Sequence, residues 1–226
     1  MEKIVYSLYG AGALNAAQMA AELAGAGARN VRINLSDGDV APAAGLAQKR
    51  GESLPDAIVQ FWLRSSNALF RGAAEAVVAR HSDESHGWLV AESTIIANDR
   101  HPPERGLRTY GFSQMAFLTL PEGQAWEDWR AIWRDSHTQI AIDTQSNFEY
   151  VQNLVVEPLT EDAPPFVAIV EECFPPEAMT DPAVFFDAVG DTARFDANLK
   201  TMMDSCARFI TSGSIDVLPT SQYDFG

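Results

Sequence analysis

The segment FVAIVEECF, Phe166–Phe174, constrains the fold more than any other part of the chain. Its first five residues are all apolar, so a strand formed by them would be apolar on both faces. The stretch at residues 110–120 has the same character. Because a strand of this kind has to be covered on both sides, we expect two sheets packed face to face.

The first half of the chain shows the element order β-α-β-β-α-β. Alternating apolar and polar residues, dense apolar runs and helical periodicity mark the individual elements. Strands are predicted at residues 4–8, 31–35, 58–63 and 87–97, and helices at residues 14–26 and 67–80.

A polar connector with two prolines, residues 98–106, ends this pattern, and the same element order then begins again. The long helix in the last third is predicted to start at Asp181-Pro182, a capping side chain followed by proline at the first helical position. Strands are predicted at residues 110–120, 148–156, 166–174 and 215–218, and another helix at residues 125–144.

Two β-α-β-β-α-β units of about 110 residues each predict an α+β fold built from two fused ferredoxin-like modules. We expect the first module at residues 1–106 and the second at residues 107–226. Their sheets are predicted to pair as a pseudo-dimer and to close into an α+β barrel with the helices outside. A chain of this kind could remain a monomer or form a homodimer.

Charge and composition exclude several classes of partner. The chain has 226 residues, a formal net charge of −15, and almost all of that excess lies in residues 107–226. Lys and Arg side chains supply the affinity for phosphate backbones, so we expect no nucleic-acid partner and no anionic membrane surface. No apolar run approaches the roughly 20 residues of a membrane-spanning helix.

The start of the sequence lacks the basic region and apolar stretch of a secretory signal. Only Cys173 and Cys206 are present, which suits free thiols in a reducing compartment. We therefore predict a cytoplasmic protein. A Gly10-x-Gly12 pair precedes the first helix, but the third small residue of a dinucleotide fingerprint is replaced by Asn15.

The predicted helix at residues 125–144 carries the most informative residues. At about 100° per residue, His137 lies on the same face as Arg130 and Trp133. The strand that follows places Tyr150 and Gln152 together on one face. A helix packs over the sheet of its own β-α-β unit, so an imidazole, a phenol and an amide are expected to line one pocket.

Such a set of side chains can move protons. Histidine titrates near neutrality, a phenol can donate to a developing oxyanion, and an amide can hold a carbonyl group. The alternative is purely structural, because an inward histidine is often a core residue hydrogen-bonded to the backbone, and Trp and Tyr are common packing residues.

The run Trp126-x-x-Trp129-x-x-x-Trp133-x-x-x-His137, followed by the strand residues Tyr150-x-Gln152-Asn153 and by Glu171-Glu172, resembles the EthD family. That family belongs to the dimeric α+β barrel superfamily, and the resemblance covers residues 108–226. It implies that His137 is the acid or base and that Tyr150 lies beside it. Residues expected to bind the substrate are Trp133, Arg130, Gln152, Asn153 and Glu172.

Glu171 and Glu172 are adjacent in a strand and point to opposite faces, so only one of them can reach the pocket. The first module lacks a helix histidine, and we expect it to supply architecture.

The function that follows is a small-molecule enzyme without metal or other cofactor, of lyase, isomerase or cyclase type. Its partner is expected to be a small hydrophobic or aromatic molecule, and its substrate to be aromatic or carbonyl-bearing. Two alternatives stay open: a non-catalytic module that binds a hydrophobic metabolite or assists an oxidase, and a haem-dependent barrel in which the helix histidine ligates iron.

Overall fold

Eight antiparallel strands close into one β-barrel in the computed structural model, which describes residues 1–226. In chain order the strands are β1 (Glu2–Tyr9), β2 (Arg29–Leu35), β3 (Ala57–Leu63), β4 (Glu84–Ile96), β5 (Phe112–Thr119), β6 (Glu149–Pro158), β7 (Phe166–Phe174) and β8 (Asp216–Asp224). Around the barrel their order is β1-β3-β2-β8-β5-β7-β6-β4.

Two pairings join strands from the two halves of the chain. Strand β2 pairs with β8, with Asn34 opposite Gln222, and β4 pairs with β6, with Ala91 opposite Leu154. The expected pseudo-dimer of two ferredoxin-like modules is therefore wrong: the fold is a single closed eight-stranded antiparallel barrel. The doubly apolar strands are explained by closure, because one face of each lies in the barrel interior and the other lies under helices.

Six α-helices pack on the outside of the barrel. They are α1 (Ala16–Gly25), α2 (Ala68–Arg80), α3 (Trp126–Ala131), α4 (Thr138–Thr144), α5 (Pro182–Phe185) and α6 (Thr192–Cys206). A π-helical turn, Ile132–His137, joins α3 to α4, and 3₁₀ segments lie at Gly38–Leu46 and Pro176–Met179. None of the helices combines the length and apolar character needed to cross a bilayer.

The two halves bury their outer barrel faces differently. In the first half, α1 and α2 pack directly on β1, β2 and β3, and a single apolar cluster fills the space between them. Its strand members follow the period of two that one face requires, as Ile4, Tyr6 and Leu8 show. In the second half, the corresponding cluster includes Trp129, Trp133 and Tyr150, and it borders an open cavity.

The barrel interior is apolar in one part and polar in another. The polar part surrounds Glu171, whose side chain is fully buried. Burial alone would raise the pKa of this carboxyl, but the guanidinium of Arg32 and the neighbouring amides outweigh burial and hold the pKa well below its ordinary value. We call this set the lumen network; its donors to Glu171 are Arg32, Asn34, Gln60, Ser113 and Gln222.

Candidate active site

A cavity of about 670 Å³ lies between the helices of the second half and the outer face of the barrel. Its floor is formed by strand residues and its walls by the π-helical turn, α6 and the segment around α5. The 3₁₀ segment Gly38–Leu46 of the first half contributes Pro42 and Leu46 to the lining. This volume suits a small organic ligand, and most of the lining is apolar.

The π-helical turn brings two of the expected residues to the cavity. A continuous α-helix is the expectation over residues 125–144, whereas the structure inserts the turn at Ile132–His137. Thr138 fits this wider turn, because its hydroxyl donates to the carbonyl of Trp133 five residues earlier at 3.2 Å. Trp133 and His137 both line the cavity, and such π-helical insertions occur often at functional sites.

His137 is held between helix and cavity as a neutral ring. Its Nδ1 atom lies 2.9 Å from the hydroxyl of Ser205 on α6, and its ring centroid lies 4.6 Å from that of Phe209. Burial, with a smaller contribution from the cation Arg208, lowers the pKa of His137 to about 4. At neutral pH the imidazole is therefore uncharged.

Among the titratable groups that line the cavity, Glu172 has the pKa closest to neutral pH. Its carboxyl lines the cavity, and its Oε1 accepts a hydrogen bond from Asn147 at 2.8 Å. Burial raises its pKa to about 7, while the hydrogen bond from Asn147 acts in the opposite direction. Of the two adjacent glutamates, Glu172 thus faces the cavity and Glu171 faces the barrel interior.

Tyr150 stands next to Glu172 across two paired strands, since the register places these two residues opposite each other. Its hydroxyl oxygen accepts a hydrogen bond from Gln152 at 2.9 Å, and the Gln152 amide also donates to Thr138 at 2.8 Å. Burial, and next the carboxylate of Glu172, raise the pKa of Tyr150, so the phenol stays protonated. The Thr138 hydroxyl is a second hydrogen-bonding neighbour of the phenol, and the phenol also lines the cavity, where it can donate to a bound molecule.

The structure brings four of the seven expected residues to one cavity: His137, Tyr150, Trp133 and Glu172. Gln152 lies behind Tyr150 and orients it. Asn153 is completely buried on the other face of β6, and its amide has no hydrogen-bond partner. Arg130 is exposed and does not line the cavity.

Several polar residues of the site are absent from the sequence-based set. Gln114 of β5 lies opposite Glu172, so that Gln114, Glu172 and Tyr150 form one polar row across three neighbouring strands. Strand alternation could have identified Gln114, because it shares a face with Ala116 and Leu118 of the lining. Gln145 also lines the cavity, with its Oε1 buried and unpartnered. Asn147 and Ser205 carry no local signal, since each acts on a residue that is distant in sequence.

Glu172→Gln is expected to remove the part of the pH dependence of the free energy of unfolding that this carboxyl causes. The carboxyl has a pKa of about 7 in the folded protein and an ordinary value of 4.5, so the folded state holds a proton that the unfolded chain releases between those pH values. Stability due to this group therefore falls as the pH rises from about 4.5 to about 7. Glutamine keeps the bond from Asn147 and cannot ionise. The variant should be more stable at pH 8 by up to about 3 kcal/mol.

Urea unfolding between pH 4.5 and pH 8 measures this effect. The wild-type protein should lose stability across the window more steeply than the variant. Parallel curves for the two proteins would mean that the carboxyl does not hold its proton near neutrality.

No family model matches this chain, and no curated protein matches it. Among solved structures, an anthrone oxidase-like protein is similar to it with a TM-score of 0.56 at 11% sequence identity, covering 100% of this chain and 94% of that one. A protein described as a "putative monooxygenase" from Lactobacillus acidophilus NCFM is similar with a TM-score of 0.50 at 9% identity, covering 100% and 96%. At such identities the similarity shows the fold, and the expected EthD membership is not shown.

Proposed function

We propose that this protein is a small-molecule enzyme that removes a proton from a carbon conjugated with a carbonyl group on an aromatic substrate. The observation that carries the proposal is the position of the Glu172 carboxyl, which lies buried in a largely apolar cavity beside a phenol. Burial raises its pKa to about 7. A base whose pKa is near the working pH transfers protons efficiently. Proton abstraction of this kind is a step common to isomerases, lyases and cyclases.

Each polar group has a role in this step. The Glu172 carboxylate takes the proton from carbon, and the negative charge moves to the carbonyl oxygen of the substrate as an enolate forms. The Tyr150 hydroxyl, which lines the cavity, donates a hydrogen bond to that oxygen. Aromatic walls that include Trp133, Phe186 and Phe209 hold the planar substrate.

The description of one structural neighbour favours an aromatic substrate. Anthrone, in the description of one structural neighbour, is an aromatic ketone whose methylene group lies between two rings and is therefore a carbon acid. The resemblance of residues 108–226 to the EthD family points to the same helix histidine and strand tyrosine that line the cavity here.

The residues of the cavity do not fit haem, the second of the two alternatives. A haem carries two propionates, yet the lining contains no Arg or Lys to pair with them. The lining instead adds a carboxyl group, Glu172, to the same space.

Deuterium uptake by anthrone distinguishes an enzyme from a binding module. Anthrone is incubated with the protein in D₂O under nitrogen and is then extracted and analysed by mass spectrometry. We expect the methylene group to gain deuterium faster than in buffer, and Tyr150→Phe to slow this gain about 10²-fold or more. Bound anthrone that is returned with no gain over buffer would support the non-catalytic alternative.

A further inference from the structure

The hydrogen bond between His137 and Ser205 defines which ring nitrogen carries the proton. A neutral imidazole has one N–H donor and one nitrogen lone pair, and a serine hydroxyl has one donor that has to be satisfied when it is buried. Ser205 is 2% exposed, and its hydroxyl has one partner in the protein, His137 Nδ1 at 2.9 Å. His137 Nε2 has no partner in the protein, and the ring lines the cavity.

Two arrangements of protons are possible at this contact. If Nδ1 carried the proton and donated to Ser205, the serine hydroxyl proton would be buried without an acceptor. If Ser205 donates to Nδ1, the hydroxyl is satisfied and the ring proton sits on Nε2. The second arrangement leaves no buried donor unpaired.

We propose that Ser205 is a positioning residue that fixes His137 as the Nε2–H tautomer, so that the ring donates a hydrogen bond into the cavity and does not act as the base. The assignment of the tautomer stands on the contact alone, and its catalytic meaning rests on the proposed function. Tyr150 and His137 then supply two donors for the enolate oxygen, and Glu172 supplies the one base. A neutral ring suits this role, because it donates without giving up its proton.

The tautomer is measured by NMR on the uniformly ¹⁵N-labelled protein at pH 7, with long-range ¹H–¹⁵N correlations of the imidazole rings. His137→Gln identifies the His137 signals by their loss. We expect a protonated Nε2 and an unprotonated Nδ1 in the wild-type protein and in Ser205→Thr, which keeps the hydroxyl. Ser205→Ala should shift both nitrogens toward the values of a tautomer mixture. A protonated Nδ1 in the wild-type protein, or unchanged nitrogens in Ser205→Ala, would overturn the proposal.

Two substitutions of His137 test the role of the ring in deuterium exchange of anthrone. Glutamine keeps an N–H donor and leucine does not. If the ring is a donor, His137→Gln should retain at least about 10-fold more exchange than His137→Leu, whose exchange should fall about 10²–10³-fold. Equal losses in both variants would contradict the donor role. If the wild-type protein shows the Nε2–H tautomer but no exchange, the proposed function fails while the tautomer assignment stands.

Discussion

Glu172→Gln is expected to lower kcat/KM for deprotonation of anthrone by about 10²–10⁴-fold, the range that a positioned general base contributes. Glutamine has nearly the same shape and still accepts the hydrogen bond that Asn147 gives to Glu172. It cannot take a proton from carbon. Binding of anthrone should therefore change little, and the loss should fall on kcat.

Two further variants make this result specific. Glu177 is exposed on the 3₁₀ segment Pro176–Met179 and does not line the cavity, so Glu177→Gln should leave exchange unchanged. Asn147→Ala removes the one hydrogen bond that lowers the pKa of Glu172, so the pH at which exchange is half-maximal should move upward. Full exchange in Glu172→Gln would exclude Glu172 as the base.

Arg32→Met is expected to lower the free energy of unfolding by about 3–5 kcal/mol, the cost of leaving a buried charge without its partner. The guanidinium of Arg32 lies 2.5 Å from Glu149, 3.2 Å from Glu171 and 3.1 Å from Asp224. Glu171 is fully buried, so removing the guanidinium leaves its carboxylate without its main cationic partner. Chemical unfolding at pH 7 measures the change.

The pH dependence of stability checks the same network. Because the pKa of Glu171 lies below its ordinary value of 4.5, its contribution is present above pH 4.5 and is lost as the pH falls below it. Without Arg32 the pKa of Glu171 rises, and Arg32→Met should lose less stability on acidification. Lys200→Met breaks an exposed pair with Asp204 and serves as the control, with a change under about 1 kcal/mol. Equal effects of the two substitutions would show that the lumen network is unimportant for stability.

Local patterns in the sequence predict most of the elements but not how the sheet closes. In a strand, residues of the inward face alternate with residues of the outward face. This sequence pattern is the same in two stacked sheets and in one closed barrel. The difference lies in the β2–β8 and β4–β6 pairings, which join residues far apart in the chain. A strand that is apolar on both faces therefore predicts that both faces are covered. The pattern does not predict which strands pair through hydrogen bonds.

Two element boundaries differ from the expectation for identifiable reasons. The last strand is predicted to end before Pro219, yet β8 continues to Asp224. Pro219 is tolerated because its neighbour β2 pairs with β8 only from Ser221 onward, so no ladder bond to β2 is lost. The helix predicted from Asp181 onward is interrupted after α5, where Asp187 adopts a positive φ of 49°, and resumes as α6.

The candidate site is predictable where its residues follow a local period. His137 and Tyr150 are found in this way, because helix and strand periodicity place each on a buried face. The pKa values are not readable from the sequence, since they depend on burial and on partners such as Asn147 and Ser205. For this reason the sequence indicates histidine as the base, whereas the geometry favours the carboxyl group of Glu172.

Deuterium exchange of anthrone, followed as a function of pH in the wild-type protein and in Glu172→Gln, tests the proposed chemistry most directly. We expect wild-type exchange above the rate in buffer, rising with an apparent pKa near 7 and flat above it, and exchange about 10²–10⁴-fold slower without that rise in the variant. Wild-type exchange that does not exceed the buffer rate, or a variant that matches the wild-type protein, would contradict the assignment of this cavity as a proton-transfer site.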